Sequence, residues 1–233
     1  ASDSPYALIP FTLANVATLQ TLFGLPTDAD PLIPTYLTQA QIIINTISGK
    51  ILGDIFHSDI SYVGPPLVGK KYLKNLNPVE CAASDKTTDA DCFEKLAADQ
   101  ANRSKVLYVG TNEGIVHQVD AVSGAERWGF IPDEVLPALK KIVIDNSYTY
   151  TADGRMTAED IYYRGASNTW KTILPFGLKD GGKSYYALDV TTAPSQPSLL
   201  WKFNDADYSG KSWSKPYVGK IHYWDGTTII DRW

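Results

Sequence analysis

The sequence predicts a mainly β protein built from the short repeated meanders that form the blades of a β-propeller. Three observations support this fold class. The stretch Val106–Phe130 reads as three short strands joined by tight turns. A second copy of the pattern follows over Trp170–Phe203, and both copies end in a strand that carries a tryptophan. Strands this short cannot bury a face alone, so each blade needs neighbours built in the same way.

In the first copy, the apolar run Val106–Val109 forms one strand and residues 115–120 alternate as the next. Gly114 and Gly124 lie in the two turns, where glycine adopts a positive φ without strain. Trp128 in the third strand supplies a large packing surface. We therefore predict that Gly114, Gly124 and Trp128 are blade-packing residues.

The second copy consists of predicted strands at Trp170–Phe176, Ser184–Val190 and Leu199–Phe203. Trp201 occupies the place of Trp128 and is predicted to have the same packing role. The alternative is an ordinary β-sandwich with similar hairpins, but the recurrence of the tryptophan-bearing third strand favours the propeller.

A shorter echo leads into each unit, at Tyr62–Gly64 and at Tyr217–Gly219. The segment Thr227–Trp233 reads as an apolar strand without a following turn. Two fuller units and the start of another fall short of the roughly four to eight blades of a closed propeller. We therefore expect the propeller to be incomplete at the C-terminal end, and to be completed by the remainder of the same polypeptide or by another chain through strand addition.

The first 50 residues differ from the rest, because their apolar residues recur at helical spacing. We predict a helical lead-in over 1–50 and a partial β-propeller over 51–233, with short helices inserted between strands. The predicted helices are Pro10–Phe23, Tyr36–Ile47 with Thr35 as N-cap, Glu94–Ala101 and Asp133–Ile142.

Composition excludes two classes of partner. The 233 residues carry a net charge of −5 without a basic cluster, which argues against nucleic acid. No run of 18 apolar residues occurs, so the sequence predicts no membrane span.

The two cysteines, Cys81 and Cys92, bracket a polar loop of ten residues. Their even count and local spacing predict a disulfide in an exported protein. Two unrelated reduced thiols are the alternative. A metal site is disfavoured because the three histidines are scattered along the sequence.

Several motifs, taken in order, resemble the C-terminal β-propeller of the PilY1/PilC family. The first is Ile51–Pro66, and the blade Val106–Pro132 with the following Leu136–Leu139 comes next. The second copy and Ser214–Gly219 follow in the family's order. The resemblance runs from about residue 42 to residue 233.

The resemblance implies a type IV pilus biogenesis factor and tip-associated adhesin rather than an enzyme. The implied partners are the minor pilins or the major pilin, together with a host or surface receptor. The implied location is outside the cytoplasm: the periplasm in transit, and then the cell surface and the pilus tip.

The resemblance also implies that calcium could bind in the propeller, because many relatives carry a calcium loop there. The nearest candidates here are Asp85–Asp91 and Asn204–Gly210, with Asp205 and Asp207 in the latter. Neither stretch has the terminal bidentate acid of a 12-residue calcium loop, so we interpret these carboxylates as solvated turn residues. The family's loop is expected beyond Trp233, and no cofactor or metal is predicted in this chain.

Two alternative functions remain: a quinone-dependent enzyme and an envelope-assembly scaffold. Propellers of quinoprotein dehydrogenases share the Asp120–Trp128 pattern, but that pattern reports blade packing and not activity. Their vicinal cysteine pair is absent here.

The suggestive polar cluster is Asp54, His57 and Asp59. On a strand, His57 and Asp59 would share one face, and we interpret them as structural hydrogen-bonding residues.

Overall fold

Strands dominate the described residues of the computed structural model, which are 6–27, 35–50, 52–67, 77–164, 168–205, 207, 210–224, 226–227 and 229–232. The strands are β1 (Ser61–Val63), β2 (Val106–Gly110), β3 (Val116–Asp120), β4 (Glu126–Phe130), β5 (Glu159–Tyr163), β6 (Thr169–Gly177), β7 (Tyr185–Asp189), β8 (Ser198–Phe203), β9 (Ile221–Trp224) and β10 (Ile229–Arg232). The helices are α1 (Val16–Leu22), α2 (Thr35–Ser48), α3 (Phe93–Asp99) and α4 (Leu136–Val143).

The strands form two four-stranded antiparallel sheets, ordered β1-β2-β3-β4 and β5-β6-β7-β8, and the hairpin β9–β10. The three strands predicted in each copy are present, but each blade has an additional strand at its first edge. β1 overlaps the echo at Tyr62–Gly64 and has only three residues, and β5 begins with two acidic residues. Neither shows the alternation that identifies a strand in sequence.

The second echo, at residues 217–219, lies in no strand, and the hairpin β9–β10 begins just after it at Ile221. The predicted C-terminal strand corresponds to β10, which pairs with β9 along its whole length. Among the described residues, no helix is long and apolar enough to cross a membrane.

The two blades repeat one register. Trp128 of β4 pairs with Gln118, and the β3–β4 register shifts directly after Gln118. Trp201 of β8 pairs with Ala187, and the β7–β8 register shifts directly after Ala187. The tryptophan therefore sits beside a β-bulge in both blades, where the extra residue increases the local twist.

An aromatic core joins the two blades. Phe130 of the first blade meets Phe176 and Tyr186 of the second, with ring centroids 6.2 and 6.4 Å apart. Trp128 is 8% exposed, and its Nε1 donates a hydrogen bond to the Ser195 carbonyl of the second blade at 3.0 Å. Trp128 and Phe130 lie two positions apart on β4, so the same face of this strand is buried against the second blade.

A buried arginine forms a second link between the blades. Arg103 Nε donates to the carbonyl of Gly64, which follows β1, at 2.8 Å. Its Nη1 donates to Thr172 Oγ1 on β6 at 2.6 Å and to the Thr191 carbonyl at 3.2 Å. Burial lowers the pKa of the guanidinium, and the carboxylate of Asp160 opposes that shift.

The helical lead-in packs on the first blade. Its buried residues Phe23 and Ile43 share an apolar cluster with Ile115 and Leu139, the latter from α4. Thr35, the predicted N-cap, is the first residue of α2. A 3₁₀ turn precedes both α1 and α4, at Leu13–Asn15 and Asp133–Val135. The division of the chain at residue 50 stays a prediction.

Candidate interaction surface

The disulfide joins Cys81 and Cys92 in the structure, with Cα atoms 4.8 Å apart. The loop that it closes docks on the second blade through Asp91. Trp170 Nε1 donates to the Asp91 carbonyl at 2.9 Å, and the Tyr162 hydroxyl donates to the Asp91 carboxylate. Desolvation and then this carboxylate raise the pKa of Tyr162. The disulfide therefore fixes a loop that reinforces the second blade.

Three of the carboxylates considered for calcium, those of Asp85, Asp89 and Asp205, accept hydrogen bonds from amides of their own turns. Asp85 accepts from the Thr87 amide at 3.0 Å, and Asp89 accepts from the amides of residues 82, 83 and 91. Hydrogen bonds from Thr87 lower the pKa of Asp85. Asp205 accepts from the Asp207 amide at 3.0 Å. Within the described residues, the cluster that meets the distances of a metal site is Cys81, Cys92 and Glu94, and the disulfide occupies its sulfurs.

The predicted blade-packing residues lie in turns and third strands. Gly114 and Gly124 have φ of +91° and +72°, in the left-handed region that glycine favours. Trp128 is buried between the blades, whereas Trp201 is half-buried.

The polar cluster Asp54, His57 and Asp59 lies outside the strands, so the condition under which His57 and Asp59 would share a strand face is not met. The backbone of this segment bonds elsewhere: the His57 amide donates to Asp153 Oδ1 at 2.8 Å, and the Asp54 carbonyl accepts from the Asn112 amide at 2.9 Å. His57 Nδ1 also lies 2.5 Å from Asp153 Oδ2, and Asp153 is 1% exposed. Asp59 pairs with Lys215 Nζ at 2.7 Å.

The cluster belongs to a larger group of side chains that the sequence did not bring together. Asp54 Oδ2 accepts from Asn112 Nδ2 at 3.1 Å and from the Tyr148 hydroxyl at 3.2 Å. The Tyr148 ring meets the Tyr150 ring edge-on at 5.4 Å, and Phe56 stacks on Tyr150 at 6.1 Å. We call this group, Asp54, Phe56, His57, Tyr148 and Tyr150, the aromatic–acidic surface.

Three segments build the aromatic–acidic surface: residues 52–60 before β1, the β2–β3 turn, and residues 147–153 before β5. Glu113 of the β2–β3 turn accepts from the Asp54 amide at 2.8 Å. Tyr148 is 65% exposed and Phe56 is 57% exposed, so the rings face solvent while their neighbours fix them. This arrangement offers ring faces and a carboxylate to a partner.

A second polar group resembles a catalytic triad but is closed to substrate. Thr111 Oγ1 lies 3.2 Å from His117 Nε2, and His117 Nδ1 lies 2.6 Å from Glu126 Oε1. Both Thr111 and His117 are 0% exposed. A nucleophile must reach its substrate, so we assign these contacts to the interior of the first blade.

Comparison with known proteins places this fold. A family model described as the PilY1 beta-propeller domain matches residues 52–223. The type IV pilus biogenesis factor PilY1 homolog of Xylella fastidiosa is 38% identical over 187 residues, 79% of this chain and 14% of that protein. Type IV pilus biogenesis factor PilY1 of Pseudomonas aeruginosa strain UCBPP-PA14 is 36% identical over 179 residues, 74% of this chain. The chain therefore spans about a seventh (14%) of these relatives.

A solved structure, the C-terminal domain of Pseudomonas aeruginosa PilY1, is 32% identical with a TM-score of 0.44, covering 56% of this chain and 25% of that one. The match to the propeller model and the two four-stranded sheets confirm the predicted mainly β fold and partial propeller.

Proposed function

Because the chain belongs to the PilY1 β-propeller family, we propose that it acts in type IV pilus assembly through protein–protein surfaces. The observation that carries this proposal is the family match over residues 52–223, with relatives named as type IV pilus biogenesis factors. The proposed partners are the minor pilins or the major pilin. The proposed location is the cell surface and the pilus tip, reached through the periplasm.

We further propose that the chain acts without catalysis. Thr111 and His117 are buried within the first blade, and the comparisons give the quinone-dependent enzyme no support. Calcium bound elsewhere in the full-length protein remains part of the proposal, as does a host or surface receptor. An envelope-assembly scaffold is the second candidate, and it differs in having outer-membrane partners instead of pilins.

The test removes residues 52–223 in frame from the full-length protein in the bacterium that encodes it. We expect few surface pili and no co-purification with minor pilins, while the wild-type protein restores both. Normal pilus number together with crosslinking to outer-membrane proteins alone would favour the scaffold. Normal pili with no captured partner would refute both functions.

A further inference from the structure

The aromatic–acidic surface leaves two neighbouring rings largely exposed to water. Phe56 and Tyr148 are more than half exposed, although each ring contacts Tyr150. Exposed aromatic clusters of this kind mark binding surfaces, since the same rings would gain free energy from burial.

The negative charge of this surface is not neutralised by a paired cation. Asp54 Oδ2 takes hydrogen bonds from two neutral groups, the Asn112 amide and the Tyr148 hydroxyl. The salt bridges of the described chain involve neither Asp54 nor Glu113. Desolvation and then the Asp54 carboxylate raise the pKa of Tyr148.

We propose that the aromatic–acidic surface binds an arginine side chain presented by a segment of a partner protein. A guanidinium is attracted to the faces of aromatic rings and donates charge-assisted hydrogen bonds to a carboxylate. Both described hydrogen bonds of the Asp54 side chain fall on Oδ2, so Oδ1 is the atom that an incoming donor meets.

The geometry favours arginine over lysine. The rings of Phe56 and Tyr150 are inclined by 28° and Tyr148 stands at 81° to Tyr150, so a flat group can stack on one face and contact another ring edge. Guanidinium is planar and weakly hydrated, whereas an ammonium is a compact, strongly hydrated charge. Within the surface, His57 is held by Asp153 and its ring lies 4.1 Å from the ring of Phe56.

The inference deepens the proposed function and rests on it only in taking the occupant to be a protein segment. The experiment titrates the purified chain by calorimetry with a short glycine-spaced peptide carrying two arginines. The matched peptide carries citrulline, which keeps the shape of arginine and removes its charge. We expect the citrulline peptide to bind at least tenfold more weakly.

Four variants locate the binding. Asp54→Asn and Phe56→Ala are expected to weaken the arginine peptide at least fivefold. Phe203→Ala, at a phenylalanine that is also 57% exposed, and Asp99→Asn, at an exposed carboxylate, are expected to leave it unchanged. Circular dichroism verifies that each variant is folded.

The proposal is overturned if both peptides bind equally, if neither binds, or if Asp54→Asn and Phe56→Ala bind as the wild type does. Binding of a neutral maltose oligosaccharide that depends on Phe56, without arginine binding, would instead assign the surface to sugars. The pilus assay reports separately: arginine binding with normal pili in the deletion strain would refute the pilus function and retain the surface.

Discussion

The link between the blades at Arg103 makes a strong prediction about stability. Arg103→Ala removes the donors to the Gly64 carbonyl and to Thr172 Oγ1, both in buried residues. The buried Gly64 carbonyl left without this partner costs about 1–3 kcal/mol. Thr172 Oγ1 keeps its own hydrogen bond to Asp160 Oδ1, so the bond it loses adds only about 1 kcal/mol. Removing a charge whose burial already lowers its pKa returns part of that cost. We expect the free energy of unfolding to fall by about 3 kcal/mol.

Urea titration followed by tryptophan fluorescence measures this change. With a denaturant slope of about 3 kcal/mol per molar, a loss of about 3 kcal/mol moves the midpoint down by about 1 M. Arg127→Ala is the matched control, because Arg127 pairs with Asp120 at the surface and is 44% exposed. Its midpoint should stay close to that of the wild type, since surface ion pairs contribute little.

Equal midpoints for Arg103→Ala and Arg127→Ala would refute the reasoning, because burial and not charge is its basis. If Arg103→Ala fails to fold, Arg103→Lys provides the measurement. Lysine retains the charge and the stem of arginine but not its planar fork. We therefore expect Arg103→Lys to fold, with a urea midpoint below those of the wild type and of Arg127→Ala. A wild-type midpoint for Arg103→Lys would show that the charge alone suffices.

Three further predictions concern the disulfide loop, the two glycine turns of the first blade and the buried hydroxyl of Tyr108. Reduction of the Cys81–Cys92 bond, or its replacement by two serines, should lower the free energy of unfolding by about 3 kcal/mol from loop-closure entropy; the serine variant should not respond to reductant in the same urea titration. Gly124→Ala should cost about 1 kcal/mol from its positive φ, and Gly114→Ala more, because a Cβ at 114 would lie 2.9 Å from a buried leucine side chain; thermal unfolding in the reverse order would contradict this. Burial raises the pKa of Tyr108 to about 12, while an unfolded tyrosine ionises near pH 10. The free energy of unfolding should therefore hold below about pH 10 and fall as the pH rises towards about 12. Phenolate absorbance measured together with circular dichroism checks this, and Tyr108→Phe should make the fall less steep.

The blades could be predicted from sequence because their information is local. A glycine turn, an alternating strand and a tryptophan all fall within 25 residues of Val106–Phe130. The first edge strands could not be predicted in the same way. Val63 of β1 pairs with Val106, across an insertion that carries the disulfide loop and α3, and no local pattern encodes that pairing.

The aromatic–acidic surface shows the same limit more sharply. Asp54 and His57 stand close together in the sequence as polar residues, but the sequence does not show which side chains they contact. Their partners lie on the β2–β3 turn, which carries Asn112, and on the segment before β5, where Asp153 is 96 positions beyond His57. The sequence indicates Asp54 and His57 on one side of the aromatic–acidic surface. The aromatic side chains on its other side join them only through the packing of three loops.

The two tryptophans explain why the repeated motif reports a fold and carries no chemistry. Trp128 and Trp201 hold the same register position beside the same bulge, yet only Trp128 is buried. The difference lies in what each one contacts, because Ser195 of the second blade accepts the Trp128 indole hydrogen bond. Burial of this tryptophan is therefore supplied by the neighbouring blade. The role of Trp128 is therefore to dock one blade on the next, and this role does not depend on the surface that the blades present to a partner.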